Sequence, residues 1–150
     1  MHMTTSPASV KSHRMNQTAG TVDDAPPQGE YMNPEQLAWF ERRLRSMRET
    51  TMGMLLTSQE GMGENVAMAD DSDKATSIEA GSLATAQGDR LKAELRRIDE
   101  AIERIRNGEY GYCIDSGDEI GMARLMANPT ACRTVEAQEA VEMRLRQRVA

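Results

Sequence analysis

Between Leu91 and Ile105 the chain sets Leu91, Leu95, Ile98, Ile102 and Ile105 alternately four and three residues apart. That spacing is a heptad seam, and a heptad seam commits a segment to a helix that buries one narrow stripe against another helix. Carried backward, the same register meets Gly88, Ala84, Gly81 and Ser77, all small. The distal part of the pairing must then be either very close or loose, and the spacing leaves both open. Asn107-Gly108 stops the helix, with glycine at the position just past its end. Arg104 and Arg106 fall in the last turn, where the helix dipole favours cations.

A partner for this seam lies upstream. Asn33-Pro34-Glu35 is a helix opening: a capping side chain, a proline at the first helical position and an acid near the positive end. Leu37, Phe40, Leu44, Met47, Thr51, Met54 and Ser58 then recur in heptad steps, and the pattern is expected to fray at Gly61-Met62-Gly63. Two helices of about 30 residues run roughly 45 Å each at 1.5 Å per residue. Joined through Ala67–Asp73, they are expected to form an antiparallel hairpin over residues 31–107, with its tip at about 67–75. The expected fold is mainly α: this long coiled-coil hairpin, a small globular base and a C-terminal helix. Aromatic residues are only 3% of the chain against 28% charged, which suits a rod better than a globule.

Residues 1–30 are rich in Ser, Thr, Pro, Gly and Gln and are expected to be a disordered tail. The net charge of −6 argues against a nucleic-acid binder that draws its affinity from phosphates. No apolar run approaches the length of a membrane span. Lys11, His13 and Arg14 are not followed by the apolar stretch of a secretory signal. A cytoplasmic protein with its two cysteines reduced is the expectation.

Gly108-Glu109-Tyr110-Gly111-Tyr112-Cys113-Ile114-Asp115-Ser116-Gly117 reads as half of a zinc knuckle: a short strand, a cysteine, two residues, a turn glycine. Ser116 stands where the second thiolate belongs, and no Cys-x-x-Cys or His pair follows. A structural zinc site takes four ligands, nearly always Cys or His. Here there are Cys113 and Cys132, with Asp115 as a weak addition, while His2 and His13 lie in the tail. No bound zinc is expected. Zinc contributes about 10 kcal/mol or more to folding a small module. In its absence Tyr110, Tyr112, Ile114, Ile120, Leu125 and Met126 are expected to hold residues 108–150 together by packing on the last helix. Glu119-Ile120-Gly121 reads as a return strand, Met122–Ala127 as a short helix broken by Asn128-Pro129, and Thr134 as the start of the last helix, with Ala137, Val141 and Leu145 on one face. Cys113 and Cys132 are either ordinary reduced thiols or a disulfide or redox pair; no neighbour in sequence clearly lowers either pKa.

From Ser58 to Ala80, Glu60, Glu64, Asp70, Asp71, Asp73 and Glu79 face only Lys74, a net charge of −5 at the expected tip. Asp70-Asp71-Ser72-Asp73 is equally the composition of a solvated turn and helix cap. It lacks the spacing of a calcium loop. Nothing nearby supplies a catalytic pocket or a partner base, so an enzyme is not expected.

Met32-Asn33-Pro34-Glu35-Gln36-Leu37, Asp70-Asp71-Ser72-Asp73-Lys74-Ala75, the run Gly108–Cys113, and Glu119-Ile120-Gly121 through Arg124-Leu125 to Pro129-Thr130-Ala131 resemble the DksA/TraR transcription factors, in the family's order and over residues 31–149. The resemblance implies a partner, RNA polymerase, bound without DNA contact. The coiled coil would enter the secondary channel, its tip approaching the active centre, and tune initiation with ppGpp in the stringent response. By motif, the tip contacts fall on Asp70, Asp73 and Ala75, and a contact to the polymerase rim on Arg90. The four cysteines of the family's zinc site fall on Cys113, Ser116, Thr134 and Ala137, so the chain resembles the cysteine-poor, zinc-free type. Positions that contact ppGpp fall on Arg97, Asn128 and Gln138, of which Arg97 alone is charged. A monomer follows from this reading. Two others stand beside it: a structural coiled coil that homodimerises through Ser77, Gly81, Ala84 and Gly88, and a zinc-finger-like nucleic-acid-binding module.

Overall fold

The computed structural model describes the backbone of residues 25–67 and 74–150, and their side chains outside 62–80. Four helices follow one another: α1 (Pro34–Ala67), α2 (Lys74–Asn107), α3 (Met122–Ala127) and α4 (Val135–Val149). The first two have 34 residues each, about 51 Å at 1.5 Å per residue. They lie antiparallel. Phe40 and Leu44 near the start of α1 share a core with Ile98 and Ile102 near the end of α2, and Arg48 reaches Asp99 across the pair at 2.7 Å. The expected mainly helical hairpin on a small base is the observed architecture.

The helix ends form as their residues dictate. The Asn33 side-chain oxygen accepts from the Gln36 amide at 2.8 Å, so one of the unpaired donors of the first turn is satisfied. At the far end of α2, Gly108 takes φ 76°, and the Glu109 amide donates back to the Arg104 carbonyl at 2.9 Å.

Two expectations about the hairpin are corrected. α1 does not stop at Gly61-Met62-Gly63 but runs to Ala67. Glycine costs a helix about 1 kcal/mol relative to alanine, yet it keeps its amide and can adopt helical angles, so a continuing helix tolerates it. The α1 seam also slips by one residue. Past Thr51 the buried position is Leu55, and Met54 points out at 55% exposure. The step from Thr51 is four rather than three, closer to the 3.6-residue turn of an unsupercoiled helix. On α2, by contrast, Leu95, Ile98 and Ile102 are buried as the heptad requires, with Leu91 and Ile105 partly so. The small-residue stretch is loose rather than close: a side chain added at Gly81 or Gly88 would meet nothing within 4 Å.

One continuous core holds the hairpin root and the base. It joins Met32, Trp39, Phe40 and Leu44 to Ile98, Ala101 and Ile102, and both to Tyr110, Cys113, Ile120, Leu125 and Ala131. Phe40 meets Trp39 edge-on at 4.9 Å and Tyr110 at 5.4 Å, geometries that aromatic quadrupoles favour. Met32 enters this core from a left-handed backbone (φ 54°), a conformation that costs an L-residue roughly 1–2 kcal/mol. The reason lies opposite it. Gly111, at φ 91°, leaves the space its side chain fills, and a Cβ at Gly111 would lie 2.6 Å from Met32 Cγ.

The base is held differently from the expectation. Tyr110, Ile120 and Leu125 are buried in a core shared with the hairpin, and α4 adds to it only the half-buried Ala137; α4 has no buried residue, and Leu145 is 56% exposed. Tyr112 and Ile114 are exposed. The expected strands reduce to a single antiparallel bridge between Tyr112 and Glu119, because the turns at Gly111 and Gly117 leave no room for a longer ladder. α3 spans Met122–Ala127, as the break at Asn128-Pro129 requires, and Thr134 caps α4 by accepting from the Ala137 amide at 3.2 Å. The tail reaches the fold at its end: Gln36, itself buried, donates to the Pro27 carbonyl at 2.9 Å.

Candidate functional site

The residues singled out above fall in three places. Asp70 and Asp73, with the capping role open to Asp71 or Asp73, lie outside the described residues; Ala75 belongs to the first turn of α2. The end of α1 at Ala67 and the start of α2 at Lys74 mark the end of the hairpin remote from the base. Arg90 is exposed on the flank of α2. Arg97, exposed on the same helix nearer the base, is paired with Glu94 at 2.9 Å. Asn128 and Gln138 sit in the base, where Asn128 accepts from the Thr130 hydroxyl at 2.8 Å and Gln138 donates to Glu142 at 3.1 Å.

The third place is the knuckle. The turn around Cys113 is formed by two backbone bonds, from the Cys113 amide to Asp118 and from the Gly117 amide to Cys113. The Ile114 amide donates to the Cys132 carbonyl at 3.0 Å and so brings the two halves of the module together. Cys113, Ser116 and Thr134 meet there. Cys113 is buried, only 4% exposed. Burial acts to raise its pKa. The Ser116 hydroxyl and the backbone of Thr134, Ser116 and Asp115 hydrogen-bond to the sulfur and outweigh burial, bringing the pKa down from 9.0 to about 6. This corrects the expectation of a thiol with no activating neighbour. The donors come from the turn and from the α4 cap, at the positive end of that helix, and the fold alone brings them to the sulfur.

The donor set does not fit zinc. Of the four positions, Cys113 alone carries a thiolate; the Thr134 hydroxyl is engaged in capping α4, and Ala137 has no ligand atom. Among the described residues no three His, Cys, Asp or Glu side chains are gathered as a metal would require. An arginine does part of the joining instead. Arg133 Nε donates to Asp115 at 2.6 Å, linking the half that holds Cys113 to the half that holds Cys132. Its Nη1 reaches the Cys132 sulfur at 3.6 Å. The Asp115 carboxylate raises the Arg133 pKa further, and both sulfurs add to that pull.

Three side chains complete the joint through hydrogen bonds that the sequence did not assign to them. Tyr31 donates to the Gly111 carbonyl at 2.6 Å and accepts from the Gly121 amide at 3.0 Å, so one hydroxyl ties both turns of the knuckle to the start of the hairpin. Tyr110 donates to the Pro129 carbonyl at 2.7 Å, and burial raises its pKa. Arg43 lies 5.3 Å over the Trp39 ring and donates to the Met126 carbonyl at 3.3 Å. Only proximity to the knuckle in space reveals these roles; Tyr31 and Gly111 are 80 residues apart in the chain.

The titration of Cys113 is directly measurable. Thiolate absorbance should show a midpoint near pH 6 in the wild-type chain, and Ser116→Ala should move it up toward 9 by removing the hydroxyl donor. Because the folded pKa is depressed, the stability this group contributes is complete above pH 9, shrinks as the pH falls between 9 and 6, and is lost below about 6.

The comparisons with known proteins fit this geometry. Residues 108–142 match the prokaryotic dksA/traR C4-type zinc finger. The chain is 40% identical over 117 residues to the RNA polymerase-binding transcription factor DksA of Caulobacter vibrioides, covering 78% of each. It is 32% identical over 122 residues to the protein of that name from Escherichia coli K12, covering 81% of each. The structure of the transcription factor DksA2 from Pseudomonas aeruginosa superposes with a TM-score of 0.74 at 32% identity, over 80% of this chain and 93% of that one. A two-helix rod rooted in a knuckle that keeps its turns but not its four cysteines, matched over this length, belongs to the DksA/TraR family.

Proposed function

We propose that this chain is a transcription regulator that binds RNA polymerase, enters its secondary channel with the hairpin and modulates initiation through the acidic tip. The observation that carries this reading is the shape of the charge: a paired rod about 51 Å long ends in a stretch of net charge −5. Such a rod reaches through a pore and delivers carboxylates to basic groups at the far side, where a low dielectric strengthens them. Asp70, Asp73 and Ala75 act at the tip and Arg90 at the rim. Arg97 is the cation available to ppGpp at the interface, which ties the activity to the stringent response. The protein works in the cytoplasm as a monomer, without zinc, without DNA contact and without an enzymatic step of its own.

The reading as a homodimerising coiled coil is weaker, because the apolar seam of α2 is already spent on α1 within one chain. The nucleic-acid reading lacks both excess positive charge and a metal ligand set.

Binding to purified polymerase core, followed by retention on immobilised enzyme, tests the proposal. Retention at about 1 μM chain, a binding free energy of about 8 kcal/mol, is expected, with no shift of labelled duplex DNA. Failure to bind the core at tenfold higher concentration would refute it.

A further inference from the structure

We propose that Tyr31 is a positioning residue for polymerase binding: its hydroxyl holds α3 against the root of the hairpin, where α3 forms a shoulder that meets the enzyme outside the pore mouth. This role rests on the polymerase reading above and extends it from the rod to the base. The hydroxyl stands between two turns of the base. It donates to the Gly111 carbonyl at 2.6 Å and accepts from the Gly121 amide at 3.0 Å. The Gly111 carbonyl also accepts from the Ile120 amide at 2.9 Å. Two successive amides are therefore held to one carbonyl, Ile120 directly and Gly121 through the hydroxyl. Gly121 is the residue from which α3 starts, and no side chain caps α3 there. A helix of six residues does not hold itself together, so its place comes from what grips it. Leu125 anchors it in the core, and Arg124 ties it to the Arg133 carbonyl within the base. The grips on its two ends come from the hairpin side: Tyr31, three residues before α1, at its start, and Arg43 of α1, which donates to the Met126 carbonyl at 3.3 Å.

Only the rod is slender enough to enter a pore, so the surface around its root is what meets the outside. The Arg43 bond places α3 beside the first turns of α1, and Ala123, Ala127 and the following Asn128 are exposed there. When rod and shoulder are rigidly joined, contact along the rod delivers the shoulder already oriented, and the second contact is made within one complex. Without the hydroxyl, Leu125 still holds α3, but the start of the helix is released. The shoulder must then be ordered at the moment of binding, and that cost falls on affinity. The tip lies at the other end of a rod about 51 Å long and acts unchanged once the chain is bound.

Tyr31→Phe in the full chain tests this. The substitution removes the hydroxyl and keeps the ring, which meets Tyr112 edge-on at 5.7 Å, so the fold should survive; far-ultraviolet dichroism and urea denaturation give the fraction folded. Amide exchange at Gly121 should accelerate at least tenfold by nuclear magnetic resonance, while Ile98 and Ala101 in the hairpin root exchange at the wild-type rate. Titrated on immobilised polymerase core, at concentrations corrected to folded chain, the variant should bind at least fivefold more weakly (about 1 kcal/mol). At saturation it should change open-complex lifetimes to within twofold of the wild type, a split between affinity and effect that mere loss of folded protein does not produce. Wild-type affinity in the variant, unchanged exchange at Gly121, or a lost effect that persists at saturation would each overturn the proposal. A wild-type chain that fails to bind the core would refute the polymerase reading, and the docking role of Tyr31 with it; a wild-type chain that binds no better than the variant would refute the role of Tyr31 alone.

Discussion

Phe40→Ala is expected to remove about 3–5 kcal/mol of folding stability. Phe40 is fully buried, and it stands where three parts meet: Trp39 beside it on α1, Ile98 and Ile102 on α2, and Tyr110 of the base. Truncation leaves a cavity whose walls belong to different elements and cannot all close on it. Domains of this size hold about 5–15 kcal/mol in total, so the variant would be near the edge of unfolding at 37 °C. Urea denaturation provides the measurement, with Trp39, the only tryptophan, reporting on the joint and far-ultraviolet dichroism on the helices. Because a single core spans hairpin root and base, the two signals should fall together in wild type and variant alike. Met54→Ala, on the outward face of α1, is the control and should stay within about 0.5 kcal/mol of wild type. A Phe40→Ala variant as stable as that control would mean the hairpin and base do not share their core.

The second large effect is functional. Asp70→Asn with Asp73→Asn is expected to abolish the effect of the chain on open-complex lifetime, by tenfold or more, while polymerase affinity changes by no more than about twofold. Tenfold is about 1.4 kcal/mol, a modest demand on two carboxylates facing basic groups in a confined site. On the proposed docking, the flanks of the rod and Arg90 carry affinity rather than the tip, and amides keep the size of the side chains they replace, so affinity should survive. Arg90→Ala should do the reverse, weakening binding and leaving the tip effect intact at saturation. Unchanged open-complex lifetimes with the double variant bound would remove the tip from the mechanism.

Much of the fold was legible because it rests on local rules. The seam from Leu95 to Ile102, the Asn33 cap, the Gly108 stop and the Thr134 cap are each decided by a few neighbouring residues, and each formed where the spacing placed it. What was not legible depends on residues distant in the chain. The slip from Met54 to Leu55 is a four-residue step, closer to the 3.6-residue turn of a straight helix than a three-residue step, and local spacing does not announce it. The packing of Tyr110, Ile120 and Leu125 chiefly on the hairpin depends on Phe40 and Trp39, 70 to 86 residues away. That the four positions lack a zinc donor set could be read from Ser116 and Ala137. That Arg133 and Tyr31 would hold the knuckle together could not, since Arg133 is not a metal-ligand type and Tyr31 lies 80 residues before Gly111. The depressed Cys113 pKa belongs to the same class: its donors are backbone groups and a hydroxyl that only the folded turn aims at sulfur.

The position of the hairpin on the polymerase is the central claim, and site-directed photocrosslinking tests it most directly. A photoreactive residue at position 71, bound to polymerase core and irradiated, should crosslink to the walls of the secondary channel beside the active centre, whereas one at position 143 on α4 should not. Crosslinks from position 71 to the outer surface, to DNA or to a second copy of the chain would contradict the account.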